Sequence, residues 1–327
     1  MVGGRRWGAS GLAPVSTVIP LPELLLSADW STTPAKRRMA LASRLPDGRY
    51  LVGAPEAVGP LETLLTRLER RTGPGASILI GLDHPIGVPL AWARQAGVTA
   101  FRPLLAQLGQ GEWAAFFEVS DHPTLRQPFY PRPSQVKGAT SRAHLAQALG
   151  AAHPRELLRR CERPTPTRKA AECLFFTLGG AQVGRAAISG WRELLQPALD
   201  RLRLWPFDGP LATLLAQPGV TVAEIYPAEA YGQLGVSIGS RHRTSKRNRA
   251  HRQAACAGWL AEGLPAGIAL TNEARAAIAS GFASEDDFDA MAGLLGMLLV
   301  VLGHRAAGEP ADAEVRSVEG WILGQEG

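Results

Sequence analysis

Residues 77–83 read SILIGLD, a nearly continuous apolar run of strand length that closes on a carboxylate, Asp83. A strand with one wet face alternates apolar and polar positions. This run does not, so it reads as a strand buried on both faces, the habit of parallel sheets covered by helices. Upstream, Val58, Leu61, Leu64, Leu65 and Leu68 recur at a helical period within residues 56–71, and Gly73-Pro74-Gly75 ends the pattern. Earlier still lie LLLSAD (24–29), RMALASR (38–44) and RYLVGA (49–54), with Pro46-Asp47-Gly48 as turn chemistry between the last two. The order strand-strand-strand-helix-strand predicts an α/β fold. A helical crossover after a hairpin meander makes the strand at 77–83 parallel to the strand at 24–29, and right-handed crossing sets the two side by side.

Downstream, helical pieces at 91–108, 141–160 and 188–202 are separated by Pro-rich stretches such as QPFYPRP at 127–133. A connection of this length is seldom idle, and residues of about 90–217 read as a large, mostly helical insertion that borders a site. VTVAEIYP (220–227) returns to a strand pattern, a basic segment follows, and Ser284 opens a long apolar helix to about Gly303. Residues 1–22 read as a flexible N-terminal segment and 23–327 as a single domain carrying the insertion.

The chain of 327 residues is 46% hydrophobic and 20% charged, which excludes fibrous, collagenous and wholly disordered proteins. Cys161, Cys173 and Cys256 show no CxxC or Cys/His spacing, so neither zinc nor a disulfide framework is expected. No apolar run reaches the roughly 18 residues of a membrane span. Pro14, Pro20 and Pro22 break the stretch that an export signal beginning at Arg5 and Arg6 would need. The expectation is a cytoplasmic protein without a membrane partner; the sequence leaves its oligomeric state open.

The carboxylates carry the chemistry. Asp29 ends the first strand, Asp83 the fourth, Glu224 lies within the fifth, and Asp286, Asp287 and Asp289 open the final helix. Side chains at the C-terminal ends of parallel strands face the crevice where open α/β sheets bind ligands. Adjacent strands lie about 5 Å apart, which brings Asp29 and Asp83 within reach of one cation. Residues three apart share a helix face, so Asp286 and Asp289 project together while Asp287 turns away. Ser284-Glu285-Asp286-Asp287 also reads as a helix N-cap with acids in its first turn, and that is the expectation for Asp287. Asp289 precedes a wholly apolar stretch, where an unpartnered acid is costly. Clustered carboxylates without His or Cys select Mg²⁺ or Mn²⁺, and a pair of such ions suits phosphodiester hydrolysis.

SRHRTSKRNRAHRQ (240–253) is the densest basic stretch and contains no acid. Arg241, Arg243, Lys246, Arg247 and Arg252 are its candidate phosphate contacts, arginine suiting bidentate contact. No aromatic residue interleaves these bases, so base stacking there is not expected.

The segments ADWS, GLDHPIGVP, AEIYPAEAY and EDDFDAMAGLLG, in that order, resemble the predicted ribonuclease H-like (RNase H-like) nucleases of the family called domain of unknown function 429. ECLFFTLGGAQVGRAAISGW and WPFD add weaker agreement, so the resemblance runs from about Leu24 to Leu323. It implies a mixed five-stranded sheet in the order 3-2-1-4-5 with flanking helices. It also implies a metal site at Asp29, Asp83 and Asp289, with Asp286 or Glu224 completing the catalytic set. The spacing of Asp286 and Asp289 resembles the DxxD start of the last helix in Holliday-junction resolvases. Where many family members have a glycine after the first acid, this chain has Trp30. The function expected is a metal-dependent nuclease acting on DNA or RNA. Two alternatives remain: a non-catalytic nucleic-acid-binding module of the same fold, and a phosphotransferase of the sugar-kinase or acetate-kinase type, of which Asp29-Trp30-Ser31-Thr32-Thr33 is a poor copy.

Overall fold

Leu24–Asp29 and Ser77–Leu82 are buried at every position and form the centre of a sheet. The computed structural model describes residues 19–131, 141–164, 169–178, 183–239 and 242–326, so most of the N-terminal segment expected to be flexible lies outside it. The strands are β1 (Leu24–Asp29), β2 (Arg38–Arg44), β3 (Tyr50–Val52), β4 (Glu56–Ala57), β5 (Ser77–Leu82), β6 (Leu202–Leu204), β7 (Gly219–Glu224) and β8 (Ile268–Leu270). The helices are α1 (Leu64–Thr72), α2 (Leu90–Ala96), α3 (Phe101–Gln107), α4 (Arg142–Ala148), α5 (Val183–Gly190), α6 (Leu211–Leu215), α7 (Pro227–Gln233), α8 (Arg249–Ala261), α9 (Asn272–Ala279) and α10 (Glu285–Val301).

The fold is α/β with a mixed eight-stranded sheet. The chain divides into two compact units. One takes the chain up to Asp83, Pro210–Gly308 and Leu323–Glu326; the other takes His84–Gly209 and Glu309–Ile322. In the first, the strands run β7-β5-β1-β2-β3-β8, with β4 beside β2. β1 is antiparallel to β2 and parallel to β5, and β5 is parallel to β7. This corrects the five-stranded order 3-2-1-4-5: eight strands are present among the described residues, and the sheet order differs. β8 escaped notice because IAL is too short and too half-exposed to show a pattern.

The helix expected over 56–71 is shorter. Gly59 takes a left-handed φ of 71° and Pro60 follows, so Glu56–Ala57 pair as β4 and α1 starts only at Leu64. In the second unit the expected helix at 91–108 is two helices, broken at Gly97, whose φ of 73° caps α2. That unit is packed around Trp92, Phe116, Phe129, Phe175 and Trp191. Its Arg159 is buried and bonds Glu162 and the carbonyls of Ile86 and Glu319.

All three cysteines are buried, and none is in a disulfide. No helix among the described residues is long and apolar enough to cross a membrane.

Candidate functional site

The register of two strands and one helix assembles a group of carboxylates. Ala28 lies opposite Leu82 in the parallel pair, and the Asp83 amide donates to the Ala28 carbonyl at 3.0 Å, so Asp29 and Asp83 leave the sheet side by side. β7 ends level with them, Glu224 opposite Leu82. α10 packs across this end of the sheet, antiparallel to β1. A Cβ at Gly293 would lie 2.4 Å from Ser27 Oγ and 2.7 Å from Ile225 Cδ1, and one at Gly81 would lie 2.5 Å from Met297 Sδ. Only hydrogen at these positions lets helix and sheet meet. Four helical residues advance about 6 Å and two strand residues about 6.6 Å. Stepping back one turn from Gly293 and forward two residues from Ser27 therefore brings Asp289 to Asp29.

The carboxyl groups interact strongly. Asp29 is 9% exposed and Asp289 2%. Burial pushes the Asp29 carboxyl far above the usual carboxylate range, reinforced by the charges of Asp83, Asp289 and Asp286. Asp83 keeps some exposed surface, but its carboxyl is enclosed, and desolvation followed by the Asp289 charge raises it too. A hydrogen bond between the two carboxyls opposes this rise at Asp83. Asp289 is raised by burial, while Lys246 and Tyr231 pull in the opposite direction. Asp286, half-buried, is raised by desolvation and then by its acidic neighbours Glu285 and Asp289. Glu224 is 4% exposed, and its charge acts on Asp83.

Two partners of Asp289 did not follow from sequence patterning. Tyr231 on α7 donates its hydroxyl to Oδ1, and the Lys246 ammonium bonds Oδ2. Tyr231 is set by stacking on Phe288, the neighbour of Asp289, with ring centroids 5.3 Å apart. It closes the AEIYPAEAY segment, where nothing local distinguishes it from a packing aromatic. Lys246 was expected to face phosphate. Instead its ammonium lies among the carboxylates and is held charged by Asp289, Asp83 and Asp29 against the opposing effect of burial.

The remaining basic candidates divide. Arg241 lies outside the described residues. Arg243 and Arg247 are exposed; Arg243 has a left-handed φ of 54°, and Arg247 Nε is 3.9 Å from Glu285. Arg252 must be corrected. It is 3% exposed and donates to the carbonyls of Gly281, Phe282 and Lys246, so it braces this segment and does not face a phosphate. Asp287 turns away from the group as its helical position requires: its amide donates to the Ser284 cap and its carboxylate pairs with Arg38.

As the side chains stand, no three His, Cys, Asp or Glu among the described residues are arranged to hold a metal ion. Both oxygens of Asp289 are engaged by Tyr231 and Lys246. The donor set itself is carboxylate oxygen throughout, with three acids enclosed together and facing one ammonium, which fits a hard divalent cation such as Mg²⁺ or Mn²⁺.

The chain matches no protein-family model, no curated protein and no solved structure.

Proposed function

We propose that this protein is a metal-dependent nuclease that hydrolyses phosphodiester bonds of DNA or RNA. One observation carries the reading. Asp29 and Asp83, at the ends of adjacent parallel strands, are enclosed with Asp289 of α10, close enough that the Asp83 and Asp289 charges raise the proton affinity of Asp29 and the Asp289 charge raises that of Asp83. Such repulsion is costly in a buried site that serves only stability. It is relieved when a divalent cation binds. An RNase H-like core is the finer reading of the fold, supported by β1 lying between antiparallel β2 and parallel β5.

Asp29, Asp83 and Asp289 would hold Mg²⁺ or Mn²⁺, with half-buried Asp286 near Asp29 and Asp289 and Glu224 near Asp83. The bound cations would supply charge neutralisation at the attacking and leaving oxygens. The chain's own residues do the rest. Tyr231 orients Asp289 through its hydroxyl. Arg243 and Arg247, exposed on the segment that also brings Lys246 to the acids, are placed to grip backbone phosphates. α10 and the strand ends exclude water from one side of the group.

Purified protein incubated with single-stranded, duplex and branched DNA and RNA in Mg²⁺ or Mn²⁺ tests the reading. Cleavage that needs the metal and disappears in Asp29→Asn supports it. Inactivity on every substrate, together with no calorimetric uptake of either metal, overturns it.

A further inference from the structure

Lys246 stands out from the basic residues of this chain. Only four of the 35 lysines and arginines are lysines, and one of the four places its ammonium inside the carboxylate group. Its backbone is pinned: Arg252 Nη1 donates to the Lys246 carbonyl at 2.6 Å, and Asn248 caps α8 by accepting from the amides of Ala250 and His251. Its side chain is not pinned. The side chain is 45% exposed, whereas that of Asp289, which it meets, is 3% exposed. The ammonium acts on Asp289, Asp83 and Asp29 together, the same three acids that a divalent cation would need.

We propose that Lys246 is a tethered counter-ion of this carboxylate group, that a divalent cation must displace it, and that the displaced ammonium swings out to contact a phosphate of the substrate. The inference rests on the metal-dependent reading above. A divalent cation at Asp289 would compete with Lys246 for Oδ2, because Tyr231 donates to Oδ1. The exposed part of the side chain gives the ammonium a way out to solvent. Four methylenes on a fixed Cα let it turn to the side where Arg243 and Arg247 stand. Lysine suits this part better than arginine: a compact, strongly hydrated ammonium leaves a carboxylate for water readily, whereas a planar guanidinium binds it through two parallel bonds. Metal loading and phosphate binding are thereby coupled through one side chain. Without metal the acids keep their own cation; with metal the crevice gains a phosphate contact.

Mn²⁺ titration of the full chain, followed by the electron paramagnetic resonance signal of the free ion, tests this directly. Lys246→Met keeps the stem and removes the charge, and it is expected to bind Mn²⁺ about tenfold more tightly than wild type, with Lys246→Arg weaker than either. A second measurement uses the unaltered protein. Amine labelling read by mass spectrometry is expected to modify Lys246 several-fold faster at saturating Mg²⁺ than without it, while labelling of Lys169 stays constant. Equal Mn²⁺ affinity in wild type and Lys246→Met, or labelling of Lys246 that ignores Mg²⁺, overturns the displacement and leaves the metal site standing. Absence of Mn²⁺ binding in both proteins removes the metal-dependent reading and this inference with it.

Discussion

Gly293 of α10 rests directly on Ser27 of β1: a Cβ added at the glycine would stand 2.4 Å from the serine hydroxyl oxygen. This contact sets how closely the helix approaches the strand ends, and so whether Asp289 reaches Asp29. The group of acids therefore depends on an absent side chain one turn away.

Gly293→Ala is expected to lower stability by about 2 kcal/mol, since overpacking a closed interface forces backbone or rotamer shifts. Chemical denaturation measures the loss. Mn²⁺ affinity should fall with it, because α10 must move away from β1. A variant as stable as wild type with unchanged metal affinity would contradict this account of the site.

The raised carboxyls make stability depend on pH in an unusual direction. Asp29 and Asp83 bind protons more tightly folded than unfolded, Asp83 being pushed up to about 7. The stability that comes from the proton is present below the ordinary carboxylate range near 4 and is lost as pH rises through the folded values. In metal-free buffer the melting temperature should fall between about pH 5 and pH 9. Asp29→Asn, which removes one repelled charge, should fall less and be more stable than wild type at the alkaline end by on the order of 1–2 kcal/mol. Thermal melts of both proteins in chelator across that range decide it.

Tyr231→Phe removes the hydroxyl that holds Asp289 Oδ1. That bond lowers the proton affinity of Asp289, so its loss raises it. The ionised form then becomes available only at higher pH, and the rising limb of the pH-activity profile should move to the alkaline side. Stability should change by about 1 kcal/mol, the worth of one hydrogen bond. An unshifted profile would assign Tyr231 to packing alone.

Arg252 and Arg247 should behave oppositely despite standing five residues apart. Arg252→Met leaves three carbonyls, those of Gly281 and Phe282 buried, without their donor and should cost about 2–4 kcal/mol. Arg247→Ala, at an exposed position, should leave stability within about 0.5 kcal/mol while lowering the salt slope of nucleic-acid binding by about one. Melts and salt-dependent binding isotherms separate the two roles.

The sequence by itself determined the layout of the α/β unit and most of its acids. Runs such as SILIGLD and LLLSAD carry their burial in their own composition, and the crossover rule makes β1 and β5 parallel neighbours, so Asp29 and Asp83 were placed by local information. Helical spacing likewise separated Asp289 from Asp287. Tertiary structure decided what those acids touch. Lys246 and Asp289 are 43 residues apart, Tyr231 and Asp289 are 58, and the three carbonyls on Arg252 come from two different segments. Hydrophobic periodicity reports which face of an element is buried, not which distant side chain meets it there. A run of bases therefore looks uniform in sequence, although in the folded chain one is a brace, one a counter-ion and others lie exposed at the surface. The same holds for the segment expected as an insertion at about 90–217: residues 84–209, with 309–322, form a compact unit of their own, whereas 210–217 belong to the first unit. Its helices break at left-handed glycines such as Gly97, where the backbone turns without any change in the apolar pattern.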